Sequence, residues 1–182
     1  MAVGLHFSAH VSGYPSAFGG PSRSEFRVEK ARAEATLMLT NGMAVRGWIF
    51  VSVGSRTHTG SESVKDVLND ESGFFPFEVA RASGSSTSLY NRDHVVVVEL
   101  AGRGEIQADP GYDVAIVRTV AMLLSNGVRL RGAVRVHRPQ GRDRLSDFAR
   151  GPETFRYLES EYATYLINVR HIVELEEEIP AS

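Results

Sequence analysis

Apolar and polar positions alternate with a period of two along most of this chain, and seldom with the period of a helix. Phe26 and Val28, then Leu37 and Leu39, lead into Asn41-Gly42, and Val45, Ile49 and Val51 follow it. Successive side chains on a strand point to opposite faces, so this pattern predicts strands with one buried face. Further strands are predicted over Phe74–Val79, Ser88–Asn91 and Val95–Leu100, and again over 114–125, 129–137, 153–159, 162–168 and 171–176. Only Ser61–Asn69 and Arg144–Arg150 suit a turn or two of helix.

The pattern also recurs. Leu37-Met-Leu-Thr-Asn-Gly-Met-Ala-Val-Arg-Gly47 is matched by Met122-Leu-Leu-Ser-Asn-Gly-Val-Arg-Leu-Arg-Gly132, with Asn126 lying 85 positions after Asn41. Val64-Lys-Asp-Val67 is matched by Leu145-Ser-Asp-Phe148, and Phe75-Pro-Phe77 by Phe155-Arg-Tyr157. Leu89-Tyr-Asn-Arg-Asp-His-Val-Val96 is matched by Leu166-Ile-Asn-Val-Arg-His-Ile-Val173, at an offset of 77. Blocks recurring in one order point to an internal duplication, and loop insertions in the first copy account for the shrinking offset. In both copies Asn-Gly between alternating runs predicts a hairpin with a type I′ turn, both residues at positive φ.

The expected fold is therefore all-β, with little helix: two tandem five-stranded small barrels. Residues 1–23, rich in Gly, Ser and Pro, read as a flexible N-terminal arm; 24–100 form the first copy, 101–113 a turn-rich linker, 114–178 the second copy and 179–182 a tail. Copies this small are marginal alone, so the two are expected to pack together.

The order of Asn-Gly hairpin, Arg-Gly on the next strand, Phe strand and final Asn-x-x-His-[Val/Ile]-Val strand is similar to a group of uncharacterised bacterial Sm-like domains. The second copy carries the group's Arg144-Leu-Ser-Asp-Phe148 segment, while the first has Ser63-Val-Lys-Asp-Val67. The resemblance covers roughly 34–100 and 115–177. It implies a five-stranded, strongly bent Sm-like barrel in each copy and no particular activity. The residue set by which RNA-binding Sm proteins recognise bases has only partial echoes here, at Asn91-Arg92 and Asn168-Val169-Arg170.

Charge and composition narrow the function classes. A net charge of −2 does not advertise nucleic acid or an anionic membrane globally. The absence of cysteine removes disulfides, thiolate metal sites and cysteine nucleophiles. The chain start does not read as a signal peptide, and no apolar run is long enough to span a bilayer. A bacterial cytoplasmic location is expected.

Two surfaces stand out. In the second copy Arg129, Arg131 and Arg135 share one strand face, and Arg138, Arg142 and Arg144 follow, a set suited to phosphate or to an acidic partner. Its alternative is a solvated face neutralised by cross-strand carboxylates. The first copy instead offers Arg46, Trp48 and Phe50, aromatics that need covering by the other copy, by a partner or by the arm. Asp66/Asp147 and His94/His171 recur and read either as acid–base pairs or as turn and strand-start residues. His6 and His10 suit a metal only on a helix, which their setting disfavours, and no cofactor or metal is expected. Arg23-Ser-Glu-Phe-Arg27 resembles the Arg-x-x-x-Arg of cyclic-dinucleotide-binding PilZ barrels, without the downstream segment those need.

The function expected is a non-enzymatic protein–protein interaction or adaptor module. Nucleic-acid binding through the arginine face is the alternative, and a cyclic nucleotide or other small phosphate ligand a second one. The acidic run Glu174–Glu178 is suited to blunting an edge strand, which favours a monomer or dimer over a large ring.

Overall fold

The computed structural model describes residues 30–53, 62–70, 73–109, 111–136 and 144–178. The N-terminal arm, Phe26, Val28 and the C-terminal tail lie outside them. The elements are β1 (Lys30–Leu39), β2 (Ala44–Ser52), α1 (Val64–Asn69), β3 (Phe74–Arg81), β4 (Gly84–Asn91), β5 (Val95–Leu100), α2 (Gly104–Gln107), β6 (Ile116–Leu124), β7 (Arg129–Val136), α3 (Leu145–Ala149), β8 (Phe155–Glu159), β9 (Thr164–Asn168) and β10 (Ile172–Glu177). The all-β class holds, and α1 and α3 form where short helices were expected.

All ten strands join one antiparallel sheet in the order β10-β6-β7-β8-β9-β5-β1-β2-β3-β4. The last five in sequence thus follow the same order as the first five. The sheet is not closed. At the level of strand pairing, the expected pair of closed barrels gives way to one open sheet, because β5 and β9 pair with each other. Val97 lies opposite Ile167, Val98 opposite Leu166, Glu99 opposite Tyr165 and Leu100 opposite Thr164. Among the described residues, β4 and β10 have a strand neighbour on one side only.

Local geometry also recurs. The β1–β5 ladder shifts register between Met38 and Leu39, and the β6–β10 ladder between Ile172 and Glu174. The His94 carbonyl accepts from Thr40 N–H at 3.0 Å, and the His171 carbonyl from Ser125 N–H at 2.8 Å. Asn91 and Asn168 each cap a single 3-10 turn leading into the last strand of their half.

The hairpins depart from the expected type I′ turn. No described non-glycine residue has positive φ, and only Gly42 (81°) and Gly127 (83°) do at these turns. Leu39 N–H reaches Met43 O at 2.9 Å and Gly42 N–H reaches Leu39 O at 3.0 Å, which closes a three-residue loop. Such loops combine an ordinary turn with one left-handed glycine. Asn41 keeps a common conformation and accepts from Met43 N–H at 3.0 Å instead.

Strand pairing also corrects one block of the sequence match. Phe74 lies opposite Asn91 and Phe155 opposite Asn168, while Trp48 pairs with Glu78 and Ala133 with Glu159. Phe155 therefore occupies the place of Phe74, Tyr157 that of Pro76 and Leu158 that of Phe77. An F-x-aromatic spacing present in both segments had favoured a match displaced by one residue, and a one-residue slip exchanges the faces of a strand.

Gly47 and Gly132 sit where the sheet admits no side chain. A Cβ on Gly47 would lie 2.0 Å from the Glu78 carbonyl oxygen, and one on Gly132 would lie 2.4 Å from that of Glu159. The clash is with a paired backbone, which cannot rotate away. Gly47→Ala is expected to cost about 3 kcal/mol, the upper part of the overpacking range. Gly42→Ala, with open space around it, is expected to cost only about 1 kcal/mol of left-handed strain. Urea midpoints compare the two, and equal losses would refute the close-approach account.

Candidate functional site

The seam between the halves is built by strands buried on both faces. One apolar cluster holds Leu37, Ile49, Phe75, Phe77, Val98 and Leu100 of the first half, together with Phe155, Tyr157 and Leu166 of the second. The other cluster holds Val120, Met122, Leu124, Val134 and Leu158 with Val96 and Val97 of β5. The uninterrupted Val95-Val-Val-Val98 run is fully buried because each half takes one of its faces. Residues 101–113, expected as a linker, carry α2, whose Ile106 is buried in the first cluster.

Helix α1 anchors the second half. Ser63 and Asp66 form a reciprocal capping box at its start, which explains the Asp in this block. At its other end Asn69 accepts from Phe155 N–H at 2.8 Å and Thr154 N–H at 2.9 Å, and donates to the Phe155 carbonyl at 2.9 Å. Lys65 Nζ lies 2.9 Å from Asp109 and 3.3 Å from Glu153, tying α1 to α2 and to the approach of β8. Glu105 accepts from both Lys65 N–H (3.1 Å) and Tyr157 O–H (2.8 Å).

A cavity of about 460 Å³ opens beside this network, lined by Lys65, Asp109, Arg135, Asp147, Glu153 and Arg156 among others. Among the described residues three cations and three carboxylates line it, and the cations are already engaged. Arg135 bonds Glu159 at 2.7 Å and stacks on Tyr112, with 3.5 Å to the ring centroid. Arg156 donates to the carbonyls of Glu153 and Gly151. Burial disfavours the Lys65 ammonium, but the carboxylates of Asp109 and Glu153 outweigh it and raise the pKa. Burial, reinforced by the Glu105 charge, holds the Tyr157 phenol well above its ordinary value. Of the ion pairs at its wall, Lys65–Glu153 joins the two halves, while Arg135–Glu159 lies within the second.

The arginine face lies as expected on β7, but each described strand arginine meets a carboxylate. Arg129 pairs with Glu174 across β6 at 3.5 Å, Arg131 pairs with Glu178, and Arg135 with Glu159. Arg144 starts α3, where its N–H donates to Asp147 at 3.2 Å. Arg138 and Arg142 lie outside the described residues, as do His6, His10, Arg23 and Arg27. The recurrent Asp and His residues have separate structural uses. Asp66 and Asp147 cap helices, while the His94 and His171 rings sit 3.3 and 2.8 Å from Thr40 and Ser125 hydroxyls. Among the described residues no cluster of three or more His, Asp or Glu is placed to hold a metal, and no helix is long and apolar enough to cross a membrane.

Trp48 and Phe50 are half-buried on β2, away from the β5–β9 seam. Arg46 pairs with Glu34 on the same face. This face continues into a patch that the sequence reading missed. Trp48 lies opposite Glu78, which shares its face with Pro76 and Phe74, and Pro76 lies opposite Leu89. Phe74 is 63% exposed, Leu89 67%, and Pro76 is exposed too. The signal was present in Phe74-Phe-Pro-Phe77, but the displaced block match assigned the inward phenylalanines to the wrong partners. In comparisons with known proteins, no family model, curated protein or solved structure matches this chain.

Lys65→Met should leave Asp109 and Glu153 without their shared cation and lower unfolding stability by about 1–3 kcal/mol, read by urea denaturation. The raised pKa values of Lys65 and Tyr157 give an alkaline test. Groups raised in the fold contribute fully below their unfolded values, 10.5 and 10.0, and lose that contribution as pH climbs through the folded ones. With respect to these groups stability is flat to about pH 10 and falls above it. Tyr157→Phe should make the fall shallower, and an unchanged slope would refute the coupling.

Proposed function

We propose that this chain is a non-enzymatic protein-interaction module of the bacterial cytoplasm, built by duplication of one Sm-like small β-barrel unit. The repeated strand order, the matched register shifts and the paired His-carbonyl bonds support the duplication. The observation that carries the interaction role is the apolar patch of Phe74, Pro76 and Leu89 beside β4, which has a strand neighbour on one side only among the described residues. Exposed apolar patches and open edges are where sheets accept partners, by packing and by strand addition. Arg46, Trp48 and Phe50 extend the same face, so the partner surface runs from β2 to the sheet's end. The arginines of β7 favour a neutralised structural face, since their charge is met within the chain.

Affinity capture at low and high salt, with absorbance read for nucleic acid, tests this reading. A protein partner should persist at high salt, because apolar contacts are not screened. It should be lost in Leu89→Arg and weakened in Trp48→Ala. A nucleic-acid signal that falls steeply with salt and vanishes in Arg131→Glu would overturn the proposal in favour of phosphate binding.

A further inference from the structure

We propose that the cavity at the seam binds a small zwitterion of the α-amino-acid class, its carboxylate met by arginine and its ammonium by the acids of the same wall. The inference goes beyond the apolar face and does not depend on it. It rests on the duplication, which makes the first half a control for the second.

Arg135, Arg156 and Tyr157 all line the cavity. Strand pairing places them where the first half has Phe50, Phe75 and Pro76. Phe75 is 1% exposed and Arg156 6%, so a charge stands in the position of a core ring. Taking a guanidinium out of water is costly, and an apolar residue of similar volume often serves stability as well or better. The first half shows that the strand accepts phenylalanine there. The strand therefore does not require Arg156, and the cavity it lines accounts for its place.

The wall holds its charges in fixed positions. Arg135, Arg156 and Lys65 lie over the rings of Tyr112, Phe148 and Tyr157, at 3.5, 5.1 and 5.2 Å from the centroids. The carbonyls of Glu153 and Gly151 fix Arg156 further. Arg135 donates from Nε to Glu159 and from Nη1 to the Tyr112 carbonyl. A guanidinium has five donors, and the Nη2 end is not used by either bond. Groups already ordered lose little freedom when a ligand arrives.

Charge then selects the class of ligand. Among the described residues of the wall, Lys65, Arg135 and Arg156 are matched in number by Asp109, Asp147 and Glu153. An anion would meet the carboxylates and a cation the arginines, whereas a molecule carrying both signs can set each end against its opposite. The volume of about 460 Å³ suits a small molecule, and Ile106, Val136 and Phe148 offer apolar wall to a side chain.

A thermal-shift screen of the whole chain against the standard amino acids, inorganic phosphate and spermidine tests this. The amino acid giving the largest shift is then titrated by calorimetry beside its decarboxylated amine and its deaminated acid. The amino acid should bind about tenfold or more tightly than either analogue. Arg156→Phe restores the residue of the first half; its urea midpoint should hold or rise while binding weakens about tenfold or more. Arg135→Lys keeps a charge beside Glu159 but removes the fork, and should weaken binding too. No response to any amino acid, tighter binding of phosphate or spermidine, an analogue that binds as well as the amino acid, or unchanged binding in both variants overturns the inference. None of these outcomes bears on the apolar face, whose partner is read through Leu89→Arg.

Discussion

The pairing of β5 with β9 is the contact on which the rest of this structure depends. It makes Val95–Val98 a strand buried on both faces, with Val98 and Leu100 turned to one apolar cluster and Val96 and Val97 to the other. Each half is small enough to be marginal in isolation, and the seam supplies what each lacks. Phe155 and Leu166, fully buried in the first half's cluster, each contribute about 1.5–3 kcal/mol relative to exposure. The Asn69 bonds to β8 and the Lys65 pairs to Asp109 and Glu153 then fix one relative position out of the many that apolar contact alone would allow.

Much of this was written in the pattern of the chain. Period-two alternation located the strands, and Asn-Gly located both hairpins, because those signals are local. The turn type was misjudged because Asn tolerates positive φ without requiring it; a three-residue loop asks that conformation only of Gly42 and Gly127. The contrast between Val95-Val-Val-Val-Glu-Leu100 and Ile172-Val-Glu-Leu-Glu-Glu177 also carried topology, since one strand is covered on both faces and the other on one. What the sequence could not show was long-range: that α1 reaches across to β8, and that the patch at Phe74 and Leu89 lies beside the last strand of the described sheet. Those depend on which strands pair, and the pairing also settles a one-residue ambiguity between Phe74 and Phe75 that composition leaves open.

The two halves share a strand order but differ in what covers it. On the second strand of each, the outward row is Arg46, Trp48 and Phe50 in one half and Arg131, Ala133 and Arg135 in the other. In the second half the row is consumed internally, through carboxylates on β8, on β10 and just beyond it. In the first half Arg46 and Arg32 also meet acids, Glu34 and Glu78, yet the aromatic and apolar members stay partly or largely uncovered. Among the described residues, the arginines of these rows are met by carboxylates within the chain, while Phe74 and Leu89 stay exposed.

The two sheet ends differ in a way that bears on which contacts they permit. β10 carries Glu174, Glu176 and Glu177, of which Glu174 and Glu177 are met by Arg129 and Arg118 from within the chain. β4 against another β4 would set Ser85, Ser86, Thr87 and Ser88 in a polar row with few apolar contacts to hold it. The acidic end and the hydroxyl end of the sheet are thus chemically distinct edges, and charge on β10 is the kind of feature that blunts an edge strand.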